Sequence, residues 1–143
     1  MSVTAGIIDY GVGNLYSLIN AIDVLGAKPV IINSPINKEF DRLILPGVGA
    51  FGKAMSELKN KNLINWINQK VLVEKIPVLG ICLGMQLMCK ESSVGDQKGQ
   101  NPIHGLGWFD SNVRQFTIEN NKKKYKIPDM GWNHLIIKQK NTW

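Results

Sequence analysis

The chain is poor in cysteine: among 143 residues there are two, Cys82 and Cys89. If the segment that holds both is a helix, they share a face two turns apart. That is about 10.8 Å, beyond the reach of a disulfide. Neither has the C-x-x-C spacing of a redox or metal site, so no metal centre is expected, and a reducing cytoplasm is the natural compartment. Histidine is equally scarce, at His104 and His134. No apolar run approaches the roughly 18 residues of a membrane span. The opening MSVTAGIIDYG lacks the basic and apolar regions of a signal peptide. Internal repeats and low-complexity segments are also missing. Charge is not strongly one-sided: 17 Lys and Arg against 11 Asp and Glu leave +6. Part of that excess is the run Lys122, Lys123, Lys124 and Lys126, which reads as a solvated face or loop. A basic patch alone does not make a nucleic-acid site, so neither nucleic acid nor membrane is an expected partner.

What is present is an ordinary soluble balance, 44% apolar and 20% charged, in a length that suits one domain with a real core. Val3 to Ile8 reads as a buried strand ending in the glycine-rich turn Asp9-Tyr10-Gly11-Val12-Gly13-Asn14. Leu15, Leu18, Ile19, Ile22 and Leu25 then repeat at helical spacing until Gly26. Pro29 to Ile32 and Leu43 to Leu45 read as strands, the second closed by Pro46-Gly47-Val48-Gly49. Phe51, Ala54, Met55 and Leu58 predict one helix. Leu63, Trp66, Ile67 and Val71 predict another, with Asn62 at its cap. Val78 to Ile81 is a fourth strand, followed at once by a helix from Leu83 to about Lys90. Ser92 to Asn101 is polar and reads as a loop, and Val113 to Ile118 and Leu135 to Lys138 read as late strands. Apolar strands alternating with helices predict an α/β fold, a mostly parallel sheet covered on both faces.

The segment richest in chemistry is Gly80-Ile81-Cys82-Leu83-Gly84-Met85-Gln86. An apolar strand precedes it and a helix follows. That is the setting of a nucleophile elbow, G-x-nucleophile-x-G, with cysteine in the place of serine. A sharp strand-to-helix turn crowds the backbone, and glycine on either side relieves the crowding. Cys82 would then stand exposed at a helix N-terminus, where the dipole favours the thiolate. The Leu83 amide would face a developing oxyanion. A lone cysteine is ordinarily a small core residue; the flanking glycines and the strand-to-helix change argue against that here. Cys89 has no such context and reads as core.

This elbow resembles that of the class I glutamine amidotransferases. Three more segments resemble a branch of them, the glutaminase subunits that serve imidazole glycerol phosphate synthesis in the histidine pathway: Asp9 to Asn14, Leu45-Pro46-Gly47-Val48-Gly49-Ala50-Phe51, and Pro128-Asp129-Met130-Gly131-Trp132-Asn133. The resemblance runs the length of the chain, in order. It implies a flavodoxin-like sheet and no cofactor. It implies that Cys82 attacks the side-chain amide of glutamine, forming a thioester and releasing ammonia. The amides of Leu83 and of Val48 or Gly49 would hold the oxyanion, and Gly47, Gly49 and Gln86 would help hold glutamine. The ammonia would pass to a (βα)8-barrel synthase subunit in a heterodimer, with Asn14 and Trp132 near that partner. A core aromatic at 132 and a helix cap at 14 are the plainer readings.

Two departures qualify the match. The family's thiol is served by a histidine with glutamate two residues on, and neither histidine here has that context: His104 precedes Gly105-Leu106 and His134 precedes Leu135-Ile136. The expectation is therefore a single domain over 1–143 that lacks its C-terminal part and is inactive alone. Asp129 also stands where histidine is common in the family. This leaves open a paralogue that feeds ammonia to sugars of surface polysaccharides. A binding or regulatory module that keeps the fold without the base stays open too.

Overall fold

The computed structural model describes residues 2–94, 101–115, 131, 132, 134 and 136. Its main sheet has four strands, β1 (Thr4–Ile8), β2 (Lys28–Ile32), β3 (Arg42–Leu45) and β4 (Val78–Gly80), in the order β2-β1-β3-β4. All three pairings are parallel, with Ile7 opposite both Ile31 and Ile44, and Leu45 opposite Gly80. The expected parallel α/β architecture is present.

Alternation along β1 explains why both faces need cover. Ala5 and Ile7 join Ile22 of helix α1 (Leu15–Val24) in one core, with Leu15, Leu18 and Ile19 packed around them. Ile8 points the other way. It shares a larger core with Ile32, Leu43 and Leu45 and with the apolar stripes of α2 (Phe51–Asn60) and α3 (Leu63–Asn68). In that core Phe40 meets Trp66 edge to face at 6.1 Å, and the Trp66 indole N–H donates to the Ile36 carbonyl at 2.9 Å. On the α1 side, Leu79 of β4 stays half-exposed beside an apolar hollow of about 500 Å³ lined in part by Ala5, Ile22 and Ile44.

Because α1 lies on one face and α2 with α3 on the other, the winding reverses between β1 and β3. In open α/β sheets, the crevice outside the carboxyl ends of the strands at such a reversal is where ligands bind. Here it is flanked by the turn after β1 and the loop after β3. The next loop along the same edge is the elbow after β4.

Three local expectations are corrected. Asn62 precedes α3, but its side chain makes no capping hydrogen bond. It adopts a left-handed φ of 57°, and its amide donates back to the Lys59 carbonyl, so it serves to close α2. After α3 the chain makes a π-helical turn, Gln69–Val73. The helix expected from Leu83 to about Lys90 is α4, Leu83–Leu87, and Cys89–Ser92 is strand β5. The cause is tertiary: the carbonyls of Leu87, Met88, Cys89 and Lys90 accept from the amides of residues 105–109, at 2.7–3.1 Å. Those partners draw the backbone out of the helix that its apolar spacing would otherwise extend. β5 pairs with β6 (Ile103–His104), antiparallel, and with β7 (Phe109–Val113), parallel, in a second sheet ordered β6-β5-β7. The late strand thus starts four residues before the expected Val113. Residues 116–118, the lysine run 122–126 and, apart from Ile136, the expected strand 135–138 lie outside the described residues.

Candidate active site

β4 hydrogen-bonds alongside β3, and the Ile81 amide continues the ladder by donating to the Leu45 carbonyl at 3.0 Å. The next residue breaks it. Cys82 has φ 52° and ψ −114°, outside the left-handed helical well that accommodates Asn62. A side-chain-bearing residue held there carries strain of order 1–3 kcal/mol. Glycine packing enforces the bend. A Cβ on Gly80 would stand 2.6 Å from the Met85 Cα, and a Cβ on Gly84 would overlap the Leu45 carbonyl. Only hydrogen fits at either position, so β4 and α4 close up and leave the Cys82 thiol exposed at the bend.

The sequence-predicted residues fall around this bend as follows. Leu83 is buried, and its amide is at the first position of α4, where a helix has no carbonyl of its own to offer. α4 has five residues, so the dipole behind Cys82 is that of little more than one turn. Gln86 is half-buried one turn along α4. In the neighbouring loop Pro46 and Gly47 are buried, while Val48 and Gly49 are exposed. Gly49 has φ 100°, with open space where a side chain would be. Gly47 is enclosed: a Cβ there would collide with the Tyr10 hydroxyl and stand 3.1 Å from the Gly84 nitrogen and the Leu83 Cβ. Gly47 therefore lies where β3's loop meets the elbow.

Asn14 is exposed and its side chain accepts from the Ser17 amide at 3.3 Å, the helix cap that its residue type favours. Trp132 is fully exposed, so it is not a core aromatic. His104 is on β6 in the second sheet, opposite Glu91 on β5, and His134 is exposed. Cys89 is half-buried on β5. Among the described residues no group of three or more His, Cys, Asp or Glu is placed to hold a metal ion, and no helix is long and apolar enough to cross a membrane.

Two residues that sequence reasoning passed over are built into the site's floor. Tyr10 is completely buried, and its hydroxyl donates to the Pro46 carbonyl at 2.6 Å. Burial first, and the electrostatic influence of the neighbouring Cys82 second, hold its phenol well above the ordinary value. Lys61, after α2, donates from Nζ to the Asp9 carbonyl at 3.0 Å, while the Asp9 carboxylate accepts from the Gly11 amide at 2.9 Å. The available signal was an aromatic residue wedged between an apolar strand and a glycine-rich turn, where solvent exposure gives tyrosine no purpose.

An exposed cysteine on a strained strand-to-helix bend, with a glycine loop beside it, is equipped for acyl transfer. Comparison with known proteins points the same way. The family model described as glutamine amidotransferase class-I matches residues 6–142. Among curated proteins, the imidazole glycerol phosphate synthase subunit HisH 2 of Methanococcus maripaludis is 43% identical over 136 residues, which are 94% of this chain and 63% of that protein. The corresponding HisH subunit of Sulfurimonas denitrificans is 42% identical, over 93% of this chain and 62% of its own. HisH 2 of Vibrio vulnificus is 42% identical, over 95% and 61%. The chain thus spans a little over three fifths of the length of these relatives. A solved structure described as a crystal structure of glutamine amidotransferase superposes with a TM-score of 0.60 at 21% identity, over 77% of this chain and 55% of that one, a likeness of fold.

Proposed function

Because the chain belongs to the class-I glutamine amidotransferase family, we propose that it is the part of a glutaminase subunit that carries the nucleophile, and that Cys82 attacks the side-chain amide of glutamine. The observation that carries this reading is the backbone of Cys82, an exposed thiol held at φ 52°, ψ −114° between two glycines that admit no side chain. Nothing in packing requires a cysteine there, and strain of this kind collects at functional sites.

In the proposed reaction the thiolate sulfur bonds to the amide carbon and its oxygen becomes an oxyanion. The Leu83 amide and that of Val48 or Gly49 receive it, and removing one such donor typically costs about 10²–10³-fold in rate. The C–N bond then breaks, the nitrogen takes a proton and leaves as ammonia, and a glutamyl thioester remains for water to hydrolyse to glutamate. Gln86, Gly47 and Gly49 are proposed to hold glutamine. No cofactor enters these steps.

The relatives are named as synthase subunits. We extend that to this chain: the ammonia is delivered to a (βα)8-barrel synthase partner making imidazole glycerol phosphate in the histidine pathway, in the reducing cytoplasm. Asn14, and Trp132 with its whole indole in solvent, are the proposed contacts with that partner. Neither His104 nor His134 is assigned as base, since neither is followed by glutamate two residues on. A thiol and a leaving amine without that base can react once but not turn over. Residues 1–143 as a separate polypeptide are therefore expected to release no catalytic ammonia.

The test uses a chloroketone analogue of glutamine, whose chloride the thiolate displaces to leave a stable thioether. Peptide mapping should place the adduct on Cys82, glutamine should protect against it, and Cys82→Ala should abolish it. An adduct on Cys89, or a Cys82 adduct that glutamine does not slow, would refute the assignment.

A further inference from the structure

The winding reversal between β1 and β3 leaves two loops facing each other, and one side chain crosses from one to the other. Tyr10 leaves β1 fully buried and gives its hydroxyl proton to the Pro46 carbonyl at 2.6 Å. That carbonyl belongs to the peptide joining Pro46 to Gly47, the first link of the loop that ends in Val48 and Gly49. The hydroxyl also occupies the space that a Cβ on Gly47 would take, and Gly47 in turn abuts Leu83 and Gly84 of the elbow. Tyr10 itself is held from behind, since Lys61 fixes the preceding carbonyl at Asp9.

We propose that Tyr10 is a positioning residue for acyl transfer at Cys82: by fixing the Pro46–Gly47 peptide it sets the direction of the Val48 and Gly49 amides that receive the oxyanion. This rests on the reading of Cys82 as the nucleophile. Its physical basis is that preorganised donors work only when they point at the developing charge before it forms. Val48 and Gly49 are exposed, and Gly49 at φ 100° has no side chain to anchor it. The loop's orientation is therefore set at its buried root, where the Tyr10 hydrogen bond is made. The raised phenol keeps its proton, so it stays a donor when Cys82 is a thiolate.

Two reactions of one thiol separate positioning from mere packing. Alkylation by iodoacetamide displaces iodide and forms no oxyanion. Acylation by p-nitrophenyl acetate passes through one: the sulfur bonds to the acetyl carbon and p-nitrophenolate leaves with the electron pair of the broken C–O bond. In Tyr10→Phe, which keeps the buried ring, acylation of Cys82 should fall about tenfold while alkylation stays within about twofold. Both rates falling together would reduce Tyr10 to a packing residue and overturn the proposal, as would acylation at the wild-type rate. A second variant guards against simple misfolding. Gly47→Ala sets a methyl against the Tyr10 hydroxyl, so its acylation defect should be smaller in the Tyr10→Phe background than in the wild type. A defect of equal size in both backgrounds contradicts the proposal. If instead acylation persists at the wild-type rate in Cys82→Ala, the nucleophile assignment itself has failed, a different result from any of these.

Discussion

The parallel sheet and the smaller second sheet adjoin at Leu87–Cys89, yet they are held by different forces. In the parallel sheet, Ile7, Ile8, Ile32, Leu43 and Leu45 are all but fully buried, and helices pack on both faces. Every fully buried Leu or Ile there is worth about 1.5–3 kcal/mol. In the second sheet β7 is mostly exposed, Phe109 included, and an ion pair between Lys90 and Asp110 sits in solvent at 3.5 Å, where such pairs add little. Ile103, Leu106, Trp108 and Val113 pack, partly buried, against the larger core. Much of the cohesion, though, comes from backbone, the amides of 105–109 bonded to the carbonyls of 87–90, with a side-chain tie from the Trp108 indole N–H to the Asn68 carboxamide at 2.8 Å. Full burial dominates in one region, and directed hydrogen bonds carry a larger share in the other. The proposed chemistry sits in loops rooted in the first.

The largest expected effect separates the two regions with matched glycines. A methyl at Gly84 would overlap the Leu45 carbonyl, which is backbone and cannot swing away. Gly84→Ala should cost about 3 kcal/mol or more, at the upper end for overpacking, and lower the urea midpoint of the whole domain. Gly105→Ala meets backbone too, the Cys89 and Leu87 carbonyls. That Cβ would also stand 3.0 Å from Cζ of the core residue Phe51. The segment is only partly buried, however, and can yield at the edge of the core, so the loss should appear as faster amide exchange at 105–109 with a smaller midpoint shift. Equal midpoint shifts for the two variants would show that the sheets unfold as one unit.

This difference also explains what was legible in the sequence. The strands of the parallel sheet are short apolar runs bounded by glycine-rich turns, so Ile8 and Leu45 could be placed at strand ends by inspection, and the end of β4, expected at Ile81, lies one residue earlier at Gly80. The elbow was legible because its glycines and cysteine are contiguous. Cys89 and Lys90 were misread because their spacing fits a helix and only a segment some fifteen residues on, 103–109, makes them a strand. Asn62 has the residue type of a helix cap, but its backbone closes the preceding helix instead. Tyr10 was missed for a related reason: its partner, the Pro46 carbonyl, is 36 positions away and leaves no mark on the residues beside it.

A smaller effect tests the strain at Cys82 directly. Cys82→Ala keeps a Cβ at φ 52°, ψ −114° and so keeps the strain, whereas Cys82→Gly releases it. Glycine gives back part of that gain through the roughly 0.5–1 kcal/mol of extra freedom it has when unfolded. With strain of order 1–3 kcal/mol, the glycine variant should be the more stable of the two by about 1 kcal/mol, read as a higher urea midpoint. Both should be dead toward the chloroketone. A glycine variant no more stable than the alanine one would mean that the bend is relaxed and that the residue was not held there at a cost.

The smallest expected effect concerns the tie between the regions. Asn68 closes α3 beneath the first sheet's core, and its side chain accepts from the Trp108 indole of the second-sheet segment. Removing a neutral hydrogen bond typically costs about 0.5–1.5 kcal/mol, and two things reduce that here. Asn68 and Trp108 are only half-buried, so water can replace the lost acceptor in part. Alanine is also the better helix former, by up to about 0.7 kcal/mol. Asn68→Ala should therefore shift the global midpoint hardly at all. Its signature should be local: a red shift of the Trp108 emission as water reaches the indole, and faster exchange of the 105–109 amides, with exchange in β1 and β3 unchanged. If β1 and β3 quicken as well, the side-chain tie supports both regions, and the contrast between a sheet held mainly by full burial and one that leans on hydrogen bonds fails where they meet.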